Sequence, residues 1–216
     1  MKNIFLRSFF LIIAILLLLL IYLSTIGHKT DKFNNQIKNE INKFNNNIDI
    51  ELQKIQLKLD PTNFNIDAKT IGTKISHKGK SLPLEYINVK ISFLTLIKKK
   101  FTSSKLEIST RSVSLKDLIS LIRTTSNKPE LFFLEKSIQK GQAIINIDLN
   151  LDENGKIKQD YKVKVILIDA KIGISKKHNF EKINFLLNAN NNIFNFKNLN
   201  FTTKETDFFF RKFEDY

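Results

Sequence analysis

The groups in this sequence that could ligate a metal or move a proton are three histidines and 21 carboxylates, and their spacing assembles neither chemistry. His28, His77 and His178 occur singly, and none belongs to a His-Glu-x-x-His pair, which puts two imidazoles one helical turn apart with an acid between them. There is no Gly-x-Ser-x-Gly elbow to present a nucleophile and no Gly-rich phosphate loop after a strand. Asp148, Asp152 and Asp169 fall on the polar faces of alternating segments, where solvated carboxylates are the ordinary case. Cys is absent, so there is no thiolate nucleophile, disulfide or thiolate metal site. These absences imply a non-catalytic protein without metal or cofactor.

The formal net charge of +14 attracts acidic partners: nucleic acid, anionic lipid or acidic protein. Single-stranded nucleic acid wants basic and aromatic side chains interleaved on one face. Here the aromatics alternate away from the lysines, which argues for no nucleic acid. Lys, Asn, Ile and Phe dominate the whole chain and Lys is evenly spread, as compositional drift would also produce.

The elements that must position any site begin with the apolar run from Phe9 to Leu23, FFLIIAILLLLLIYL. A span needs about 20 mostly apolar residues to cross roughly 30 Å of hydrocarbon. Phe9, Leu11, Ile13, Leu16, Leu18, Leu20 and Leu23 are the lipid-facing anchor residues expected within 1–28. A cleaved signal peptide is the competing reading, but this run exceeds the usual apolar core and no small-x-small cleavage pair follows it. Lys2 and Arg7 place the N-terminus in the cytoplasm and send the rest across, against the weaker opposing charge of His28, Lys29 and Lys32.

Phe33, Ile37, Ile41, Phe44 and Ile48 then recur at helical spacing, predicting an amphipathic helix over 29–47 capped by Thr30 or Asp31. From Ile48 the period is two. Strands are expected on either side of a bulge near Gln53 and Lys54, and around turns at Asp60-Pro61-Thr62-Asn63 and His77-Lys78-Gly79-Lys80. Leu94 to Ile97 reads as a short helical turn. A helical insert at about 114–140 consists of Ser114 to Arg123, with Asp117 completing a capping box, and a second helix opened by Pro129 and stopped by Gly141. Ile145, Ile147, Leu149 and Leu151 next alternate with polar residues, Asn154-Gly155 supplies a hairpin turn, and Tyr161, Val163, Val165 and Leu167 return. A second bulge belongs near Ile168 and Asp169, and strands through Leu187, Phe194, Phe196 and Phe201 follow. Residues 205–216 read as an irregular tail.

The fold class is mainly β with minor α: an N-terminal transmembrane helix, then an antiparallel β-meander over 48–204 curled into a groove and interrupted by the short helical insert. One apolar face of such a meander needs a cover, so it either closes as a sandwich or offers a trough to a non-protein ligand. The trough residues are Ile145, Ile147, Leu149, Leu151, Val163, Val165, Leu167, Phe194 and Phe196.

The strand pair broken by Asp60-Pro61 in IDIELQKIQLKLDPTNFNIDAKTIG, the Lys-rich step within LPLEYINVKISFLTLIKKKFTSSKLEISTRSVSLKDL and the later meander together resemble the N-terminal region of the AsmA-like family of repeating β-groove lipid transfer proteins. The resemblance is one of pattern. It implies an inner-membrane anchor, a periplasmic β-groove that binds or guides phospholipid between inner and outer membrane, and a role in outer-membrane homeostasis. Family members are several times longer, and the chain stops without a capping polar strand, which reads as a piece of a longer protein. The alternatives are an LptC-like single-span β-jellyroll passing lipopolysaccharide, and a scaffold that binds other envelope proteins through an open sheet edge.

If Lys2 and Arg7 set the topology, reporter fusions after Thr30 and after Asp160 are active only as exported reporters. Cytoplasmic activity at either site reverses the assignment.

Overall fold

The computed structural model of the protein describes residues 2–35, 37–39, 48–93, 103–126, 128–152, 158–173, 179–191, 193–203 and 206–215. Helix α1, Lys2–Thr25, carries the apolar run. The sheet strands are β1 His28–Thr30, β2 Ile48–Glu51, β3 Lys54–Asp60, β4 Asn65–Ile71, β5 Lys74–His77, β6 Lys80–Ser92, β7 Ser103–Thr110 and β8 Val113–Ser114. Helices α2, Leu115–Thr125, and α3, Pro129–Ser137, form the insert, and β9 Ile138–Asn150, β10 Lys162–Gly173, β11 Asn179–Asn190, β12 Ile193–Thr202 and β13 Asp207–Asp215 follow. All strands join one antiparallel sheet of 13, ordered β1-β3-β4-β6-β7-β9-β10-β11-β12-β13, with β2 and β5 paired beside the first half of β6 and β8 paired to β9.

The sheet is open and uncurled, with β1 and β13 as its edges, so the expected curl into a groove is corrected. The sequence predicts curling because its few helices leave an apolar face to be covered. The insert supplies part of that cover instead. Ser114 caps α2 by accepting a hydrogen bond from Asp117 N at 3.4 Å. Leu118 of α2 packs with Leu82, Leu84, Val113, Ala143, Leu167, Ala170 and Ile183 of the sheet in one buried cluster. Buried His77 ties β5 to the end of α2 by donating from Nε2 to the Thr124 carbonyl at 3.0 Å, and Arg123 pairs with Glu135 to hold α3 against α2.

A band of irregularities crosses the sheet and divides it into a half under α2 and a half beyond it. The band passes between β2 and β3 at Leu52 and Gln53, where a bulge was expected, and between β4 and β5 at Gly72, whose φ of +65° suits glycine. It continues between β7 and β8 and through Gly141, Asp169, Lys182 and Asn198, all at positive φ. Side chains replace the ladder bonds lost there. Thr70 Oγ1 accepts from Ile87 N at 2.8 Å, Thr110 Oγ1 from Ile145 N at 2.9 Å, and Asn184 Oδ1 from Asp169 N at 2.8 Å.

Three local expectations change. His28–Thr30 is a strand paired with β3, not the start of a helix, because Gln56 Nε2 bonds the Ile26 carbonyl and holds the chain against the sheet edge. Residues 34, 35 and 37–39 are helical; Ile41 and Phe44 of the expected stripe lie outside the described residues, as do Leu94 to Ile97 and Asn154-Gly155. Gly141 does not stop α3. It sits inside β9, where its missing Cβ lets Ala170 approach. The expected irregular tail is strand over Asp207–Asp215, since Phe208 opposite Phe201 and Phe210 opposite Leu199 extend the apolar face to β13.

Leu118→Ala, which empties a packed site, is expected to cost about 2–4 kcal/mol. Gly141→Ala, whose Cβ would lie 2.8 Å from Ala170 Cβ at a φ of +138°, should cost about 1–3 kcal/mol. Urea unfolding followed by circular dichroism measures both; an unchanged midpoint for either variant refutes its packing role.

Candidate functional site: the apolar face of the sheet

Cross-strand register converts separate alternating strands into continuous rows. One row runs Leu57, Ala68, Val89, Leu106 and Leu149 across β3, β4, β6, β7 and β9. The next runs Ile87, Ile108, Ile147, Val163, Ala189 and Phe194 from β6 to β12. A third carries Ile145, Val165, Leu187 and Phe196. At about 4.8 Å per strand, the second row spans roughly 24 Å.

The expected trough residues therefore share one face, but not one environment. Leu167 is buried in the cluster beneath α2, and Ile145 packs against that cluster, so these two belong to the protein's own core. Ile147, Leu149, Leu151, Val163, Val165 and Phe196 are half-buried, and Phe194 is 44 % exposed. Among the described residues α2 packs on β5, β6, β8 and β9, and α3 on β9, at the half of the sheet above the band of bulges. The face below the band carries no described helix. Near β12 the aromatics pair edge to face, Phe185 with Phe196 at 5.4 Å and Phe180 with Phe201 at 5.3 Å, while Phe201 stacks on Phe208 at 4.9 Å.

Leu57, Leu59, Ile66, Val89, Ile91, Leu106 and Ile108 extend the face well beyond the residues singled out from sequence. Their alternation was visible, but alternation fixes only which residues in one strand share a side. The register that aligns them with Ile147 and Leu149 is set by pairing across the helical insert, where β7 meets β9.

The opposite face is polar by the same rows. Asn88, Glu107, Asp148 and Lys162 stand side by side, as do Lys58, Asp67, Lys90 and Lys105. Glu107 directly faces Asp148, and Lys105 resolves the repulsion, its Nζ 2.7 Å from Glu107 Oε1 and 3.4 Å from Asp148 Oδ2. Partial burial pushes the Glu107 carboxyl up, but hydrogen bonds from Lys105 and Asn88 and the Lys105 and Lys90 charges outweigh it and hold the group below its usual range. The same Glu107 bond raises Lys105. Burial, only partly offset by Lys90, raises Asp67. A shallow hollow of about 390 Å³ on this face is lined by Asn146, Asp148, Lys162, Lys164, Asn188 and Asn190. Asp148 and Asp169 lie in ion pairs with Lys105 and Lys140. Among the described residues no three His, Asp or Glu side chains gather at metal-binding distance, and His178 lies outside them.

Helix α1 contributes the other apolar surface. Leu6–Thr25 has a mean hydropathy of 2.7, none of it is buried inside the protein, and it is long and apolar enough to cross a membrane. Phe9, Leu11, Leu16, Leu18 and Leu20 are all exposed.

Compared with protein-family models, curated proteins and solved structures, the chain matches none.

Glu107 is held ionised in the folded state, so its contribution to stability is present above the unfolded carboxyl value near 4.5 and is lost as pH falls through the lower folded value. Lys105→Met should therefore cost on the order of 1 kcal/mol at pH 7, with the gap to the parent protein closing below about pH 4. Urea titrations at the two pH values test this; a gap independent of pH removes Glu107 as the cause.

Proposed function

We propose that this chain is a membrane-anchored, non-catalytic protein that binds or guides phospholipid on the open half of its apolar sheet face. The observation that carries the reading is a row of apolar side chains four strands wide, Ile147 to Phe194, with Leu149 and Leu106 beside it, over which no described helix packs. Dehydrating an acyl chain is worth about 0.8 kcal/mol per CH₂, so a few methylenes laid along Ile147, Val163 and Leu149 give useful affinity. On this reading α1 holds the chain in the inner membrane of a bacterial envelope with its N-terminus cytoplasmic. The sheet stands in the periplasm, and the resemblance to AsmA-like proteins supplies the role in outer-membrane homeostasis.

A protein-binding scaffold has a separate observation on its side. β13 is an edge strand, and its Phe209 is 62 % exposed.

The test uses the full chain in vesicles containing phospholipid with a photoreactive acyl chain, with crosslinks mapped by mass spectrometry. Crosslinks on peptides containing Ile147 and Val163, besides those on α1, are expected. Ile147→Asp removes apolar contact worth about 1.5 kcal/mol or more, so crosslinking at this face should fall about tenfold while circular dichroism stays unchanged. Crosslinks confined to α1 overturn lipid binding and leave the scaffold; wholesale unfolding of Ile147→Asp shows that the face is a closed core.

A further inference from the structure

We infer that the turn joining β3 to β4, which ends on Phe64, inserts into the surface of the bilayer that α1 crosses and sets the height of the sheet above it. The inference rests on α1 being a span and is independent of whether the apolar face holds lipid. His28 pairs with Leu57 and Thr30 with Ile55, so β1 and β3 are antiparallel and each step back from His28 toward α1 matches a step forward along β3 toward Asp60. Gly27 accordingly lies against Leu57 and Lys58: a Cβ there would sit 2.5 Å from the Leu57 carbonyl oxygen. α1 touches β3, and because the span is unburied it does not fold back along the sheet.

The 20 residues Leu6–Thr25 are about 30 Å long as a helix, which puts Thr25 at one edge of the hydrocarbon. Gly27 and Lys58 are then at headgroup level. Asp60 is two residues further along β3, about 7 Å toward the membrane, and the headgroup layer is itself only about 5–7 Å deep on each side. The turn that follows is forced to the acyl boundary.

What the turn presents there is an aromatic ring. Phe64 is 68 % exposed, more than any other large apolar side chain in the described sheet. It is held out rigidly. Asp60 Oδ1 accepts from Asn63 N at 3.1 Å, Asp60 Oδ2 accepts from Asn63 Nδ2 at 2.7 Å, and the Phe64 carbonyl accepts from Phe93 N at 2.9 Å. Phe64 takes a φ of +52°, a conformation that costs a bulky residue energy and that water alone gives no reason to maintain. Buried at the acyl boundary the ring recovers that cost through dehydration.

The chain contains neither Trp nor Cys, so each introduced reporter is the single one present. The full protein is reconstituted in phosphatidylcholine–phosphatidylglycerol vesicles with and without lipids brominated high on the acyl chain. Three variants are compared: Phe64→Trp; Tyr22→Trp, within α1; and Phe133→Trp, in α3 at the other end of the sheet and 67 % exposed. Brominated lipid should remove about half or more of the Phe64→Trp emission, because that ring sits at the headgroup–acyl boundary, and leave Phe133→Trp unchanged. Quenching of Tyr22→Trp without Phe64→Trp overturns the inference while keeping the anchor, and absence of quenching at Tyr22 overturns the anchor. Equal quenching at 64 and 133 also overturns it, since the whole sheet would then lie on the lipid. Thr62→Cys carrying a nitroxide reads the same depth without altering Phe64: oxygen accessibility above that of a water-soluble nickel complex supports insertion, and the reverse order overturns it.

Discussion

An antiparallel sheet with one apolar face must dehydrate that face, and the number of strands sets how much cover it needs. The described strands of this sheet number 13, and the α2–α3 insert packs on part of its broad face. The insert reaches the upper part of β6, β8 and β9, where Leu118 and its neighbours are buried. Ile87 and Ile108 pack at the border of that cluster, while Leu57, Ala68, Val89, Leu106, Leu149, Ile147 and Val163 are half-buried and Phe194 is exposed. Hydrogen bonding keeps the sheet together regardless of the cover, because each ladder satisfies backbone groups of both strands. The half under α2 supplies the tertiary packing of the buried cluster.

The band of bulges makes that division possible. Extra residues at Asp169, Lys182 and Asn198, with Gly141 and Gly72, increase the local twist and offset the side-chain phase. Ala170 and Ile183 therefore return to the same side as Leu167 instead of flipping to the polar face. The hydroxyls of Thr70 and Thr110 and the amide of Asn184 take over lost ladder bonds, so the irregular line costs little in unsatisfied backbone.

Much of this was legible in the residues. Period-two alternation placed β3, β6, β9, β10 and β12; the capping box and Pro129 placed α2 and α3; and the phase slips at Gln53 and Asp169 announced two of the bulges. What the residues did not disclose are long-range choices. Nothing near His28 signals that it pairs with Leu57, because the pairing depends on where α1 releases the chain. Lys182 and Asn198 adopt positive φ without a glycine to mark them. Phe208 to Phe210 hides its alternation, since Phe209 on the polar side is as apolar as its neighbours. The division of the trough residues into buried Leu167 and half-buried Val163 depends on where α2 lies, and a pattern within one strand carries no information about that.

Strand direction orders the two halves relative to α1. β3 descends from Lys54 to Asp60 beside the end of α1, β6 descends from the α2-covered Leu82 to Ile91, and β9 descends from buried Ile138 to Leu149. The α2-covered ends of β6 and β9 thus lie away from α1, and among the described residues neither α2 nor α3 packs on the ends of β3, β6 and β9 toward it. This order leaves Leu59, Ile66 and Ile91 as the first apolar row above the turn at Phe64. The polar rows run behind it, with Lys58, Lys90 and Lys105 beside Asp67 and Glu107, so the charges pair on that side while the apolar side continues from the turn at Phe64 to the edge of α2.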